Sequence, residues 1–157
     1  MAFEKVVLSI DGIQKIGVVT SRFNEPVTSK MQEGALAALR EAGLPESKIV
    51  NVEVPGAYEI PLAAKALLEQ GCDGVVAVGA VIEGDTAHFD YVCNSVERGC
   101  TQLQLEYMKP VGFGVITTRN AEQAFDRAGG KKGNKGQEAA EVVLEMIQLI
   151  NKLKKND

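Results

Sequence analysis

The sequence predicts an α/β protein: a three-layer αβα sandwich, with a mostly parallel sheet and helices on both faces. Three observations lead there. Short valine- and isoleucine-rich runs alternate with stretches whose apolar residues recur at helical spacing. Glycine, proline and asparagine punctuate the transitions. Strands that alternate with helices form right-handed βαβ units, and these build a parallel sheet covered on both sides.

Lys5–Ile10 reads as a short edge strand, closed by the turn signal Asp11-Gly12. Lys15–Thr20 reads as a more buried strand. Pro26 fits the first turn of the next helix, with Asn24 near its cap. Met31, Ala35, Leu36, Leu39 and Ala42 continue that helix, and Gly43 and Pro45 stop it. Ile49–Val54 alternates as a strand. After Pro55–Glu59, the residues Ile60, Ala63, Ala64, Leu67 and Leu68 mark a helix closed by Gly71. Asp73–Val78 is the next strand. Gly79–Val92 turns from it into a helix lasting to about Lys109, with Asp85 and Thr86 as N-cap candidates. Val111–Ile116 is a strand, and a helix follows from about Ala121 to Arg127. Gly129–Gly136 reads as a glycine- and lysine-rich loop. The last helix carries an apolar stripe from Ala139 to Leu153.

The length of 157 residues predicts one domain over residues 1–157. Apolar residues make up 45% and charged residues 24%, enough for a real core. A net charge of −4 argues against a nucleic-acid or anionic-membrane partner. No apolar run is long enough to span a bilayer, and the N-terminus lacks a signal-peptide pattern. A cytoplasmic location is expected. The three cysteines form no Cys-x-x-Cys, and with one histidine no metal site is expected.

The unusual segments are Ser21–Glu25, Pro55–Glu59 and Gly79–His88, with Thr117–Asn120 a weaker fourth. All follow strand ends, where open α/β sheets bind ligands. His88, the chain's single histidine, sits at a helix start. Helix N-termini suit phosphate or carboxylate, and an imidazole beside an anion suits proton transfer. His88 serves equally as an ordinary residue of a solvated helix start. Phe23 is either a staple for the next helix or a platform for a planar ligand. Glu59 is either a helix-terminal charge or an acceptor for sugar hydroxyls. Arg127 and Lys135 read first as ordinary basic residues around a helix end. The Gly129–Gly136 loop lacks the spacing of a Walker motif, and no Gly-x-Gly-x-x-Gly follows the first buried strand.

Five stretches together carry a resemblance to the lumazine synthase family. They are Ser21–Asn24, Val54–Pro61, Gly84–Val92, Phe113–Thr118, and Glu122–Ala124 through Arg127–Gly129 to Gly133–Gly136. Each lies at a strand end or helix start, and the order is specific. The resemblance implies a flavodoxin-like sandwich and an enzyme of riboflavin synthesis. That enzyme joins 5-amino-6-(D-ribitylamino)uracil to 3,4-dihydroxy-2-butanone 4-phosphate, releasing 6,7-dimethyl-8-ribityllumazine, phosphate and water, without metal or organic cofactor. It implies that Phe23 stacks on the pyrimidine, that Ala57, Tyr58 and Glu59 line the ribityl chain, and that backbone around Ala80, Val81 and Ile82 reads the pyrimidine edge. Asp85 and Thr86 would hold the phosphate and His88 would shuttle protons. Phe113, Arg127 and Lys135 would come from a neighbouring subunit, Arg127 as the phosphate partner. Family members form homo-oligomers: pentamers, which some build into icosahedral shells that can enclose riboflavin synthase. One departure stands out. Where the family commonly has a basic residue after Val81-Ile82, this chain has Glu83, and Asp85 adds a second carboxylate beside the expected phosphate.

Overall fold

Valine, isoleucine and glycine dominate four runs that pair side by side in the computed structural model, which describes residues 6–155. The runs are β1 (Ile16–Ser21), β2 (Ile49–Val54), β3 (Gly74–Ile82) and β4 (Val111–Thr118). All three pairings are parallel, in the order β2-β1-β3-β4. Ile16 lies beside both Ile49 and Gly74, and Val75 beside Val111.

Side chains of a strand alternate between faces, and the two faces bury different helices. Val18, Val76, Val78 and Ala80 pack with Met31, Leu39, Leu144 and Ile147. These come from α1 (Glu25–Glu41) and α5 (Lys135–Lys155). Val19, Val75, Ala77 and Val115 pack instead with Ile60, Leu67, Val96 and Leu103. Those belong to α2 (Ile60–Glu69) and α3 (His88–Tyr107). β3 is apolar throughout because helices cover both its sides. The expected three-layer α/β sandwich with a parallel sheet and helices on both faces is what the chain forms.

Several local expectations are corrected. Val6–Ile10 forms no strand, and Lys5 lies outside the described residues. Leu8 and Ile10 pack against the α1/α5 cluster. The Gln148 side chain donates to the carbonyls of Ser9 (3.0 Å) and Asp11 (3.2 Å), satisfying backbone without a ladder. β3 runs four residues beyond Val78, because Gly79–Ile82 pairs with Val115–Thr118. α3 starts later than expected, at His88, with Ala87 rather than Asp85 or Thr86 at its N-cap. It ends at Tyr107, where Met108 turns left-handed at φ 54°. α4 spans Ala121–Asp126.

The Gly129–Gly136 segment is not a loop throughout. It holds a small antiparallel hairpin of β5 (Ala128–Gly130) and β6 (Gly133–Asn134), after which α5 begins at Lys135. Gly136 lets α5 settle on α1: a Cβ there would lie 1.9 Å from the Met31 carbonyl oxygen.

Candidate active site

β1, β2 and β3 end together, and the segments after them enclose a cleft of about 520 Å³. The wall after β1 is set by backbone. Arg22 N–H donates to the Val54 carbonyl (2.8 Å) and Phe23 N–H to the Pro55 carbonyl (3.0 Å). This prolongs the β1/β2 pairing by two bonds and leaves the Phe23 side chain 71% exposed at the cleft rim. The staple alternative would bury that ring. Asn24 then turns the chain left-handed at φ 66°, a conformation asparagine tolerates better than most residues. Its Nδ2 donates to the Ala80 carbonyl (3.1 Å), tying the start of α1 to the end of β3.

After β2, Pro55-Gly56 leads into a single 3₁₀ turn, Ala57–Glu59. Glu59 Oε1 accepts from Gly56 N–H at 3.1 Å, which stiffens the turn. Among the described residues the other carboxylate oxygen has no hydrogen-bond partner. Ala57 is buried, Glu59 half-buried, and Tyr58 is 64% exposed. All three line the cleft.

The floor is the end of β3. Ala80, Val81 and Ile82 line it, and Glu83 N–H donates to the Thr118 carbonyl (2.8 Å), holding the strand end in the ladder. The far wall is the start of α3. Thr86 Oγ1 accepts a long bond from His88 N–H (3.4 Å). Asp90 and Tyr91 N–H donate to the Ala87 carbonyl (3.1 and 3.4 Å), so within the first turn Phe89 N–H is left without a partner among the described residues, at the positive end of the helix beside the cleft. His88, Phe89 and Val92 lie on one face of the helix and line the cleft together.

The cleft thus unites Phe23, Ala57, Tyr58, Glu59, Ala80, Val81, Ile82, Thr86 and His88. It does not unite four others. Asp85 is exposed outside the lining, as is Glu83, so both carboxylates meet water. Phe113 lies opposite Ala77 on β4, about 10 Å along the strand from the Ala80 level. Arg127 closes α4, its Nη1 donating to the Gln123 carbonyl (2.9 Å). Lys135 Nζ lies 3.3 Å from Glu138 Oε2. Asn24, Pro55, Gly56, Gly84, Phe89 and Val92 also line the cleft; all six lie in the stretches the sequence singles out, but none is named there as a site residue. The helical spacing of Phe89 and Val92 from His88 is the sequence signal that places them on the same face.

Among the described residues no group of three His, Cys, Asp or Glu side chains could hold a metal ion, and no helix is long and apolar enough to cross a membrane. Burial pushes the Cys100 thiol from its ordinary 9.0 to about 12, and also raises Cys72 and Cys93.

A parallel sheet with a mostly apolar cleft at its carboxyl edge, an imidazole and a helix N-terminus is a small-molecule enzyme's arrangement. Comparison with known proteins narrows the class. Residues 14–151 match the family described as 6,7-dimethyl-8-ribityllumazine synthase. A protein of that name from Bdellovibrio bacteriovorus is 58% identical over 139 residues, covering 88% of this chain and 76% of the relative. One from Cytophaga hutchinsonii is 48% identical over 132 residues, 83% of each chain. One from Helicobacter pylori strain J99 is 47% identical over 148 residues, 94% of this chain and 95% of the relative. The chain belongs to the 6,7-dimethyl-8-ribityllumazine synthase family, a family of transferase enzymes.

Proposed function

We propose that this enzyme condenses 5-amino-6-(D-ribitylamino)uracil with 3,4-dihydroxy-2-butanone 4-phosphate, giving 6,7-dimethyl-8-ribityllumazine, phosphate and water in riboflavin biosynthesis. The observation that carries this reading is the meeting of four unlike groups on one cleft. They are an exposed aromatic face (Phe23), a carboxylate with a free oxygen (Glu59), a hydroxyl (Thr86) and the only imidazole (His88).

Each group has a task. The Phe23 ring stacks on the pyrimidine. Backbone groups of Ala80, Val81 and Ile82 read its edge. Ala57 and Tyr58 flank the ribityl chain, and the free Glu59 oxygen accepts from its hydroxyls. The phosphate rests at the N-terminus of α3, on the Phe89 N–H, on backbone near Asp85 and on the Thr86 hydroxyl. The substrate amine attacks the ketone carbonyl and water leaves to form an imine. Elimination of phosphate follows, and attack of the ribityl-bearing amine on the remaining carbonyl closes the ring with loss of a second water. Each step moves a proton near neutral pH, and His88 takes it up and returns it. Holding two reactive partners together supplies much of the rest, at best about 7–11 kcal/mol.

Phe113, Arg127 and Lys135 serve the cleft of a neighbouring copy in a homo-oligomer, a pentamer by family likeness. Phe113 is 42% exposed on edge strand β4, which supports this placement. Arg127 then takes the phosphate. Mixing the purified protein with both substrates and following lumazine absorbance and fluorescence tests the reading. A rate well above the uncatalysed mixture is expected. Saturable aminouracil binding without acceleration refutes catalysis and leaves a binding module or a shell protein. Turnover of the lumazine itself would instead identify a riboflavin synthase.

A further inference from the structure

The hairpin between Arg127 and Lys135 is hydrogen-bonded to α1 through one side chain among the described residues. Asn134 Oδ1 accepts from Gln137 N–H at 3.0 Å, in the first turn of α5. Its Nδ2 donates to the Lys30 carbonyl of α1 at 3.1 Å, across 104 positions of chain. One partner is a donor and the other an acceptor, so the orientation of the carboxamide is settled. The carboxamide fills a notch left by Gly34. A Cβ at Gly34 would lie 2.5 Å from Nδ2 and 2.6 Å from both Cγ and Oδ1.

The two cations are themselves joined by backbone. Lys135 N–H donates to the Arg127 carbonyl (2.9 Å), and Ala128 pairs with Asn134. Arg127 and Lys135 therefore move as one unit, and Asn134 sets that unit on α1. Helix capping alone would not need an asparagine, because aspartate caps equally well. The bond to the Lys30 carbonyl does need one, since a carboxylate cannot donate.

We propose that Asn134 is a positioning residue that fixes Arg127 and Lys135 where they meet the phosphate of the butanone substrate. This rests on the reading that those cations serve the phosphate. Asn134→Asp keeps the cap to Gln137 and loses the bond to Lys30. It is expected to raise KM for the butanone phosphate about tenfold, with kcat and the KM of the aminouracil within about twofold. Gly34→Ala leaves Asn134 in place but fills its notch, and gives the same signature. It carries the test if the aspartate variant does not fold. In an Arg127→Ala background, Asn134→Asp adds little further loss, because it acts through that arginine.

A parental KM in both Asn134→Asp and Gly34→Ala overturns the proposal. So does a loss that falls equally on kcat and both KM values and tracks a lowered unfolding midpoint. The two readings fail separately. An unchanged KM in Arg127→Ala sinks the phosphate reading itself. A raised KM there, beside a parental KM in Asn134→Asp, sinks only the positioning role.

Discussion

Replacing Glu59 separates two jobs that one side chain performs. Its Oε1 closes the 3₁₀ turn on Gly56 N–H, a half-buried bond of 3.1 Å. Its other oxygen faces no protein partner among the described residues and, in the proposed complex, takes ribityl hydroxyls. Glutamine keeps an oxygen for Gly56 but presents an amide to the substrate. It forfeits only the charge assistance, the difference between a neutral bond of about 1 kcal/mol and a charged one of about 2. At 1.4 kcal/mol per tenfold, Glu59→Gln should therefore raise the KM of the aminouracil about fivefold to tenfold with little change in kcat. Glu59→Ala also frees the turn, so its KM should rise about tenfold further. Steady-state rates at saturating butanone phosphate, with the aminouracil varied, give both numbers. A parental KM in Glu59→Gln would refute the reasoning, because the carboxylate would then serve the turn alone. A fall in kcat at constant KM would also refute it, by moving Glu59 from binding into the chemistry.

Four further outcomes follow from the structure. His88→Ala should slow turnover about a hundredfold without abolishing it, since substrate orientation survives; single-turnover rates check this. If Arg127 serves a neighbour's cleft, hybrids of His88→Ala and Arg127→Ala chains should regain activity, because roughly one site in four pairs two intact residues at equal random mixing. Co-expression under different tags measures it, and no recovery would place the site within one chain. Gly136→Ala should cost about 4 kcal/mol or more, or prevent folding, because its Cβ would enter the Met31 carbonyl; urea unfolding or the soluble yield reports it. Cys100, raised from 9.0 to about 12 by burial, stays protonated in the fold while the unfolded thiol ionises. Its contribution is complete below pH 9.0 and is lost as pH rises towards about 12, so stability should fall by about 2 kcal/mol between about pH 8 and pH 10.5. Cys100→Ala should flatten that slope in urea titrations.

What was legible in the sequence was local. Valine runs, helix-spaced apolar residues and the stops at Gly43 and Gly71 depend on neighbours in the chain, and the structure places them as expected. The errors fall where a distant partner decides. Gly79-Ala80 has the small residues of a turn, yet Gly79–Ile82 is strand because β4 lies beside it. Val6–Ile10 has the composition of a strand, but Val6 and Val7 are exposed, Leu8 and Ile10 pack on helices, and Gln148 takes the Ser9 carbonyl. The cleft divides the same way. Phe23, Tyr58, Glu59 and His88 stand out because each is unusual for its position after a strand. The bond from Asn24 to Ala80 spans 56 positions and leaves no mark on the local pattern.

The distribution of charge in one copy's cleft supports the proposal that a neighbouring copy supplies the phosphate's cation. Among the residues lining it there is no lysine or arginine, and the fixed anion is Glu59. The N-terminus of α3 offers only about half a positive charge to a phosphate, and that falls off within a turn. Glu83 and Asp85 stand nearby with the opposite sign, but both are exposed. In water a carboxylate costs an anion only about 1 kcal/mol even at 4 Å. An arginine that binds phosphate through two parallel bonds outweighs that cost. Such an arginine exists on the chain, but its backbone is tied to Lys135 in a hairpin set on α1 and outside the cleft. A second copy of the chain can bring that hairpin to the cleft. If Arg127 serves a neighbour's cleft as proposed, assembly is part of the affinity for the phosphate, and the measurement that checks it is the KM of the butanone phosphate in Arg127→Ala.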